Sequence, residues 1–118
     1  MVKRRPSENL TGKQRRHLRG LGHALDPVVQ VGHQGLTAPV AKAIDEALEH
    51  HELIKVRLGK NAPEREQDDV GASLEDKLGC HVVQEIGRVM LVYREAKEPE
   101  DRRIKLPRVV VAEDEAEE

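Results

Sequence analysis

The chain has 118 residues, 37% of them hydrophobic and 36% charged, with a formal net charge of −2. That leaves room for one domain and a tail around a modest core. With no Trp, no Phe and one Tyr (Tyr93), the chain cannot build the aromatic platforms on which unpaired bases usually stack, so any nucleic-acid binding must rely on charge, backbone and shape.

The charge is unevenly placed. Lys3, Arg4, Arg5, Lys13, Arg15, Arg16 and Arg19 face a single Glu8 within the first 23 residues, whereas Glu113, Asp114, Glu115, Glu117 and Glu118 close the chain. Without those last acids, 20 bases stand against 17 acids and the remainder carries +3. A basic head with an acidic tail points to a polyanionic partner. Cys80 is alone, so no disulfide framework is expected. No apolar run approaches a membrane span or a signal segment, and a cytoplasmic location is expected.

Residues 1–9 are polar and basic and read as a flexible N-terminal segment. Thr11-Gly12-Lys13-Gln14 matches a capping box, and a helix is expected from there to about Leu21, with Gly20 and Gly22 as stop signals. Leu18, Leu21 and Leu25 share a narrow apolar face, while Arg15, Arg16, Arg19 and His23 gather opposite, with Lys13 on the same basic helix. Such a face is ordinarily just solvated. Here no acid relieves its internal repulsion, which favours a stripe that meets phosphates.

Asp26-Pro27 is a turn signal, and Val28 to Val31 is a strand candidate. The strand stops at Gly32, and Gly32-His33-Gln34-Gly35 has the form GxxG. A helix follows, since Thr37 is a good N-cap and Pro39 falls in the first turn. Two glycines allow φ > 0 and a close backbone approach, and the helix start offers unpaired N–H groups and a positive dipole end. Together they suit an anion, with phosphate the natural candidate. The helix runs from Ala38 to about His50 on a stripe of Val40, Ile44, Ala47 and Leu48, and Lys42 stands one turn above the loop.

His50-His51-Glu52 invites a metal reading. Adjacent helical residues diverge, and no Cys pair or second His pair completes a ligand set, so no metal or other cofactor is expected. Leu53 to Leu58 alternates, with Ile54, Val56 and Leu58 on a core face and Lys55 and Arg57 on a basic open face. A loop over 59–63 leads to a third helix, Glu64 to Leu78, with Gly71 in its middle at a cost of about 1 kcal/mol against Ala. Gly79 ends it. Cys80 reads as a buried small hydrophobe rather than a thiolate nucleophile, for which no base is placed. Val82 to Ile86 and Val89 to Tyr93 flank Gly87-Arg88, a type II′ hairpin turn. The remainder, 95–118, is a charged C-terminal extension with a short edge segment at 104–108, strand propensity at Val109 to Ala112, and a disordered acidic end.

The order is α-β-α-β-α-β-β. Crossovers between parallel strands are right-handed, so successive ones place their helices on one face. The expected fold is α/β, a two-layer sandwich of a mixed four-stranded sheet with helices mainly on one face and the other face open. The folded domain is expected over 10–94.

Gln14-Arg15-Arg16-His17-Leu18-Arg19-Gly20-Leu21, Pro27-Val28-Val29, Gly32-His33-Gln34-Gly35-Leu36-Thr37 and Ala47 to Val56 together resemble a CRM domain, the chloroplast RNA splicing and ribosome maturation family. Ile86-Gly87-Arg88, Leu91-Val92-Tyr93-Arg94 and Ile104-Lys105-Leu106-Pro107-Arg108 fit the same pattern. The chain resembles the stand-alone bacterial, YhbY-type form. The resemblance implies a fold similar to the C-terminal domain of translation initiation factor three, with a KH-like GxxG loop. It also implies RNA binding without catalysis and association with precursors of the large ribosomal subunit. It assigns RNA contact to Gly32, His33, Gln34 and Gly35 and to the basic helix residues Lys13, Arg15, Arg16 and Arg19. From the residues alone, Lys42, Lys55 and Arg57 join them.

An RNA-binding assembly factor, monomeric and acting with no membrane, is therefore the leading reading. The alternative is a protein-interaction module that docks an acidic partner through the first helix. An enzyme is not expected, because no paired carboxylates, no nucleophile with a base and no ligand set occur.

Overall fold

Thr11 opens the first helix as its capping box requires. The Gln14 amide donates to Thr11 Oγ1 at 3.0 Å, and the Thr11 amide donates to Gln14 Oε1 at 3.0 Å. The computed structural model describes residues 10–32, 34–59 and 65–106. Within them the expected order holds: α1 (Gly12–Gly22), β1 (Pro27–Val31), α2 (Ala38–His51), β2 (Leu53–Leu58), α3 (Arg65–Leu78), β3 (His81–Ile86) and β4 (Val89–Tyr93). The segments 1–9, 60–64 and 107–118 lie outside the described residues, and with them the expected valine-rich and acidic stretches of the tail. Among the described residues, no helix is long and apolar enough to cross a membrane.

The four strands lie in the order β1-β2-β4-β3. β1 and β2 are parallel, and the β2–β4 and β3–β4 pairs are antiparallel. Helix α2 links β1 to β2, and α3 carries the chain onward past β4 to β3. Both crossovers advance the same way across the sheet, so with one handedness they share a face. Ile44 and Leu48 of α2 and Val70 and Leu74 of α3 accordingly pack into one buried cluster with Val31, Ile54, Val56, Met90 and Val92.

α1 belongs to no crossover, and the handedness rule does not bind it. It lies on the opposite face, where Leu18 packs with Leu53, Val83, Leu91 and Tyr93 in a second cluster. Strand alternation explains the division: Ile54 and Leu53 are neighbours in β2 and point to opposite sides. The second sheet face is thus covered at one end by α1 and open at the other.

Two glycines set how closely these layers meet, and a third shapes the hairpin. A Cβ on Gly22 would sit 2.7 Å from both Leu91 Cδ atoms, so Gly22, the last residue of α1, is also the point where the helix lies down on the sheet. Gly71 does the same for α3, where a Cβ would come within 3.6 Å of Val82 Cγ2 and 3.0 Å of Glu85 Oε2. Its propensity cost is offset by this closer packing. Gly87 takes φ 60° in the β3–β4 turn, as a type II′ hairpin requires. Leu21, expected on the core stripe, is instead 41% exposed and lines an apolar groove with Leu25, Val28 and Ile104.

Residues 95–106 wrap back onto the domain through a short 3-10 turn at Pro99–Asp101. Ile104 and Leu106 pack against the second cluster alongside Leu10 and Leu25, so they contribute side chains to the core rather than a strand to the sheet.

Candidate nucleic-acid interface

The GxxG loop is a tight turn closed by its own backbone. The Gly35 amide donates to the Gly32 carbonyl at 3.0 Å, and the Thr37 amide donates to the Gly35 carbonyl at 3.0 Å. Thr37 then caps α2, its Oγ1 accepting from the Val40 amide at 3.4 Å. His33 lies outside the described residues.

The two glycines have different duties. Gly35 is buried and takes φ 74°, a conformation that disfavours side chains. Gly32 is exposed, its φ is not left-handed, and a Cβ there would meet nothing within 4 Å. The fold needs a glycine at 35 and not at 32. Among its described residues, the loop presents Gly32 and the exposed Gln34 outward.

The expected basic stripe on α1 divides into two. Lys13 and Arg16 are exposed. Arg15 reaches down to the sheet, where its Nη1 donates to the Val83 carbonyl at 3.4 Å. Arg19 and His23, one turn apart, line a groove between the end of α1 and the sheet, together with Lys55 of β2.

Strand register sets what lies on the open end of this face. Gln30 pairs with Arg57, Arg57 with Val89, and Val89 with Ile86, so one row crosses all four strands. The next row toward α1 joins Lys55 to Leu91 and Leu91 to Gln84. A shallow depression lined by Val28, Gln30 and Arg57 continues the first row along β1, the strand that ends at Gly32. Among the described residues, neither this depression nor the α1 groove has an acidic lining residue.

The structure therefore brings together Arg19, Lys55 and Arg57 on one face, with Gly32 at the end of the adjoining strand. Lys42 is exposed on α2, in the layer across the sheet, and does not join them. Gln30, Gln84 and Gly59 were not singled out from the sequence. A Cβ on Gly59 would sit 3.2 Å from the Val31 carbonyl, and its amide donates to that carbonyl at 2.8 Å, so this glycine lets the chain pass beside the strand end that carries the loop. Once β1 and β2 are known to be parallel neighbours, alternation places Gln30 beside Arg57.

Two further arginines are structural. Arg88 Nη1 donates to the Gly59 carbonyl at 2.9 Å. Arg94 Nη1 donates to Asp45 Oδ1 at 2.7 Å and to the Leu78 carbonyl at 3.0 Å, tying β4 to α2 and the end of α3. Cys80 is fully buried, and burial together with the nearby Glu75 charge pushes its thiol up to about 12, which makes it unsuited to nucleophilic work.

The chain as a whole is similar to known proteins. The CRS1 / YhbY (CRM) domain family model matches residues 10–94. “Probable RNA-binding protein YqeI” of Bacillus subtilis is 43% identical over 98 residues, covering 83% of this chain and 99% of the relative. An “RNA-binding protein” of Haemophilus influenzae is 40% identical over 99 residues, covering 84% of this chain and 96% of its own. The solution structure of the hypothetical protein SAV1595 from Staphylococcus aureus superposes with a TM-score of 0.68 at 39% identity, covering 83% of this chain and 99% of that one. With the match spanning the sheet, its three helices and the loop, the chain belongs to the CRS1/YhbY (CRM) domain family.

Proposed function

We propose that this protein binds RNA without catalysing a reaction, and that its target is precursor ribosomal RNA of the large subunit. The loop at Gly32 to Gly35 receives the sugar-phosphate backbone, and Arg19, Lys55 and Arg57 neutralise phosphates on the adjoining sheet face. Lys13 and Arg16 extend the positive surface along α1. In this reading the protein is a cytoplasmic monomer that acts on ribosomal particles during assembly.

The observation that carries this reading is Gly32. Nothing among the described residues forbids a side chain there, so the bare backbone is useful chiefly to something outside the fold. A phosphate strand lying against the main chain is such a thing. The RNA-binding names of the two bacterial relatives support the same partner.

The test is a gel shift with precursor ribosomal RNA, paired with gradient sedimentation of a lysate. Co-sedimentation with large-subunit precursors, abolished by ribonuclease, is expected. Binding to an acidic protein that survives ribonuclease would replace this reading with a protein-docking one.

A further inference from the structure

The open half of the α1-side sheet face carries more than charge. Ile86 is 65% exposed although it sits in a strand, and it pairs in register with the half-exposed Val89. Together they form an aliphatic step flanked by two amide side chains, Gln84 in the neighbouring row and Gln30 across Arg57. The acid of the same hairpin, Glu85, turns to the other side of the sheet, where its carboxylate lies against Gly71.

We propose that this step is the seat for an unpaired stretch of RNA, a refinement that rests on the RNA-binding reading above. A base face laid on Val89 and Ile86 would remove apolar surface from water, replacing the aromatic platform that this chain lacks. Only an unpaired base has such a face to offer. An A-form duplex presents phosphates, sugars and the edges of a shallow groove, and would meet the cations alone. Each glutamine amide carries both donors and an acceptor, so Gln84 and Gln30 can meet base edges while Arg57, Lys55 and Arg19 hold the flanking phosphates. The loop fixes where the strand enters, and the step confers the preference for unpaired bases.

The experiment compares a short labelled unpaired RNA with its matched duplex by fluorescence anisotropy, for the wild-type chain and for Ile86→Ser, Gln84→Ala and Gly32→Asp. Ile86 is exposed and Gln84 partly so, and thermal unfolding should confirm that both variants fold. The wild type should prefer the unpaired RNA. Ile86→Ser and Gln84→Ala should each weaken that binding about fivefold, leaving duplex affinity unchanged, as loss of one modest contact would do. Gln84→Ala should also flatten the preference among homopolymers. Equal wild-type affinity for both RNAs, or wild-type behaviour of both step variants, overturns the proposal. If Gly32→Asp still weakens every RNA in that case, the RNA-binding reading stands and only the unpaired-base seat is lost. Failure of the wild type to bind any RNA removes both.

Discussion

Glu52 Oε1 accepts the backbone amide of Ile104 at 3.0 Å, across 52 positions of sequence. The same carboxylate accepts the Arg103 amide at 2.6 Å and the Ala96 amide at 2.7 Å. Glu52 is 1% exposed and holds φ 63°, a strained conformation for a side-chain-bearing residue. One buried carboxylate, set at the α2–β2 junction, thus docks residues 95–106 by satisfying amides that would otherwise be orphaned.

Substituting Glu52 should therefore unfold more than a turn. Leaving a buried N–H unpaired costs about 1–3 kcal/mol, and here several lose their acceptor together. Glu52→Ala should lower stability by about 3 kcal/mol, with partial relaxation of 95–106 limiting the loss. Truncation after Arg94, where the family match ends, should cost a similar amount, since it also strips Ile104 and Leu106 from the second cluster. Urea titration of both variants measures this. A change below about 0.5 kcal/mol, the level of an ordinary surface substitution, would show that the extension is not part of the folded unit.

The two loop glycines should separate cleanly. Gly35→Ala must adopt φ near 74° inside a buried turn and should cost about 1–2 kcal/mol. Gly32→Asp has open space and ordinary φ, so its stability should stay within about 0.5 kcal/mol of the wild type. RNA affinity should fall sharply in Gly32→Asp, where a carboxylate meets the phosphate strand. Thermal unfolding and gel shift on the same preparations decide the matter. A folded Gly32→Asp that binds as well as wild type would remove the loop from the interface, and an unfolded one would show that the fold does need this glycine. Gly35→Asp is the poorer probe, because at a buried position with φ 74° it confuses strain with repulsion.

What was legible in the sequence was local. Thr11 with Gln14 and Thr37 with Pro39 announce their helices within four residues, and the apolar periods give the order of elements. What was hidden depends on contacts distant in the chain. The face taken by α1 could not be read, because no crossover constrains it. Gln84 and Ile86 were hidden by the register shift between Val82 and Gln84: Val82 pairs with Val92 and Gln84 with Leu91, so two residues of equal parity point to opposite faces. Glu52 stood out only as part of His50-His51-Glu52, and nothing near it signals that its partners lie beyond residue 95.

Cys80 links pH to stability. Its thiol moves from an ordinary value of 9.0 up to about 12, chiefly because burial disfavours the charged form. The folded chain keeps this proton over a range where the unfolded chain has released it. Stability should therefore be full below about pH 9 and decline as pH climbs toward 12. Tyr93, whose hydroxyl is also raised by burial, acts in the same direction from pH 10 upward. Cys80→Ala should flatten the first part of the decline, as read from urea midpoints across the alkaline range. In the native wild type at pH 8, the thiol should resist alkylation until denaturant is added. A steep loss that is identical in Cys80→Ala would assign the alkaline sensitivity to other groups.

The salt dependence of RNA binding should report which cations touch phosphate. If Lys13, Arg16, Arg19, Lys55 and Arg57 each neutralise one, log affinity should fall with log salt at a slope near −3.5 on unpaired RNA, about −0.7 for each contact. Arg57→Ala, in the row beside the loop strand, should reduce that slope by about 0.7 and weaken all sequences alike. Lys42→Ala should leave it unchanged, because α2 packs on the far side of the sheet from Arg19, Lys55 and Arg57. Arg15→Ala should combine a smaller slope change with some loss of stability, since its guanidinium also holds the Val83 carbonyl. Titrations at several salt concentrations distinguish these cases. If Lys42→Ala lowers the slope and Arg57→Ala does not, the phosphate path runs over α2, and the α1-side sheet face is not where the RNA lies.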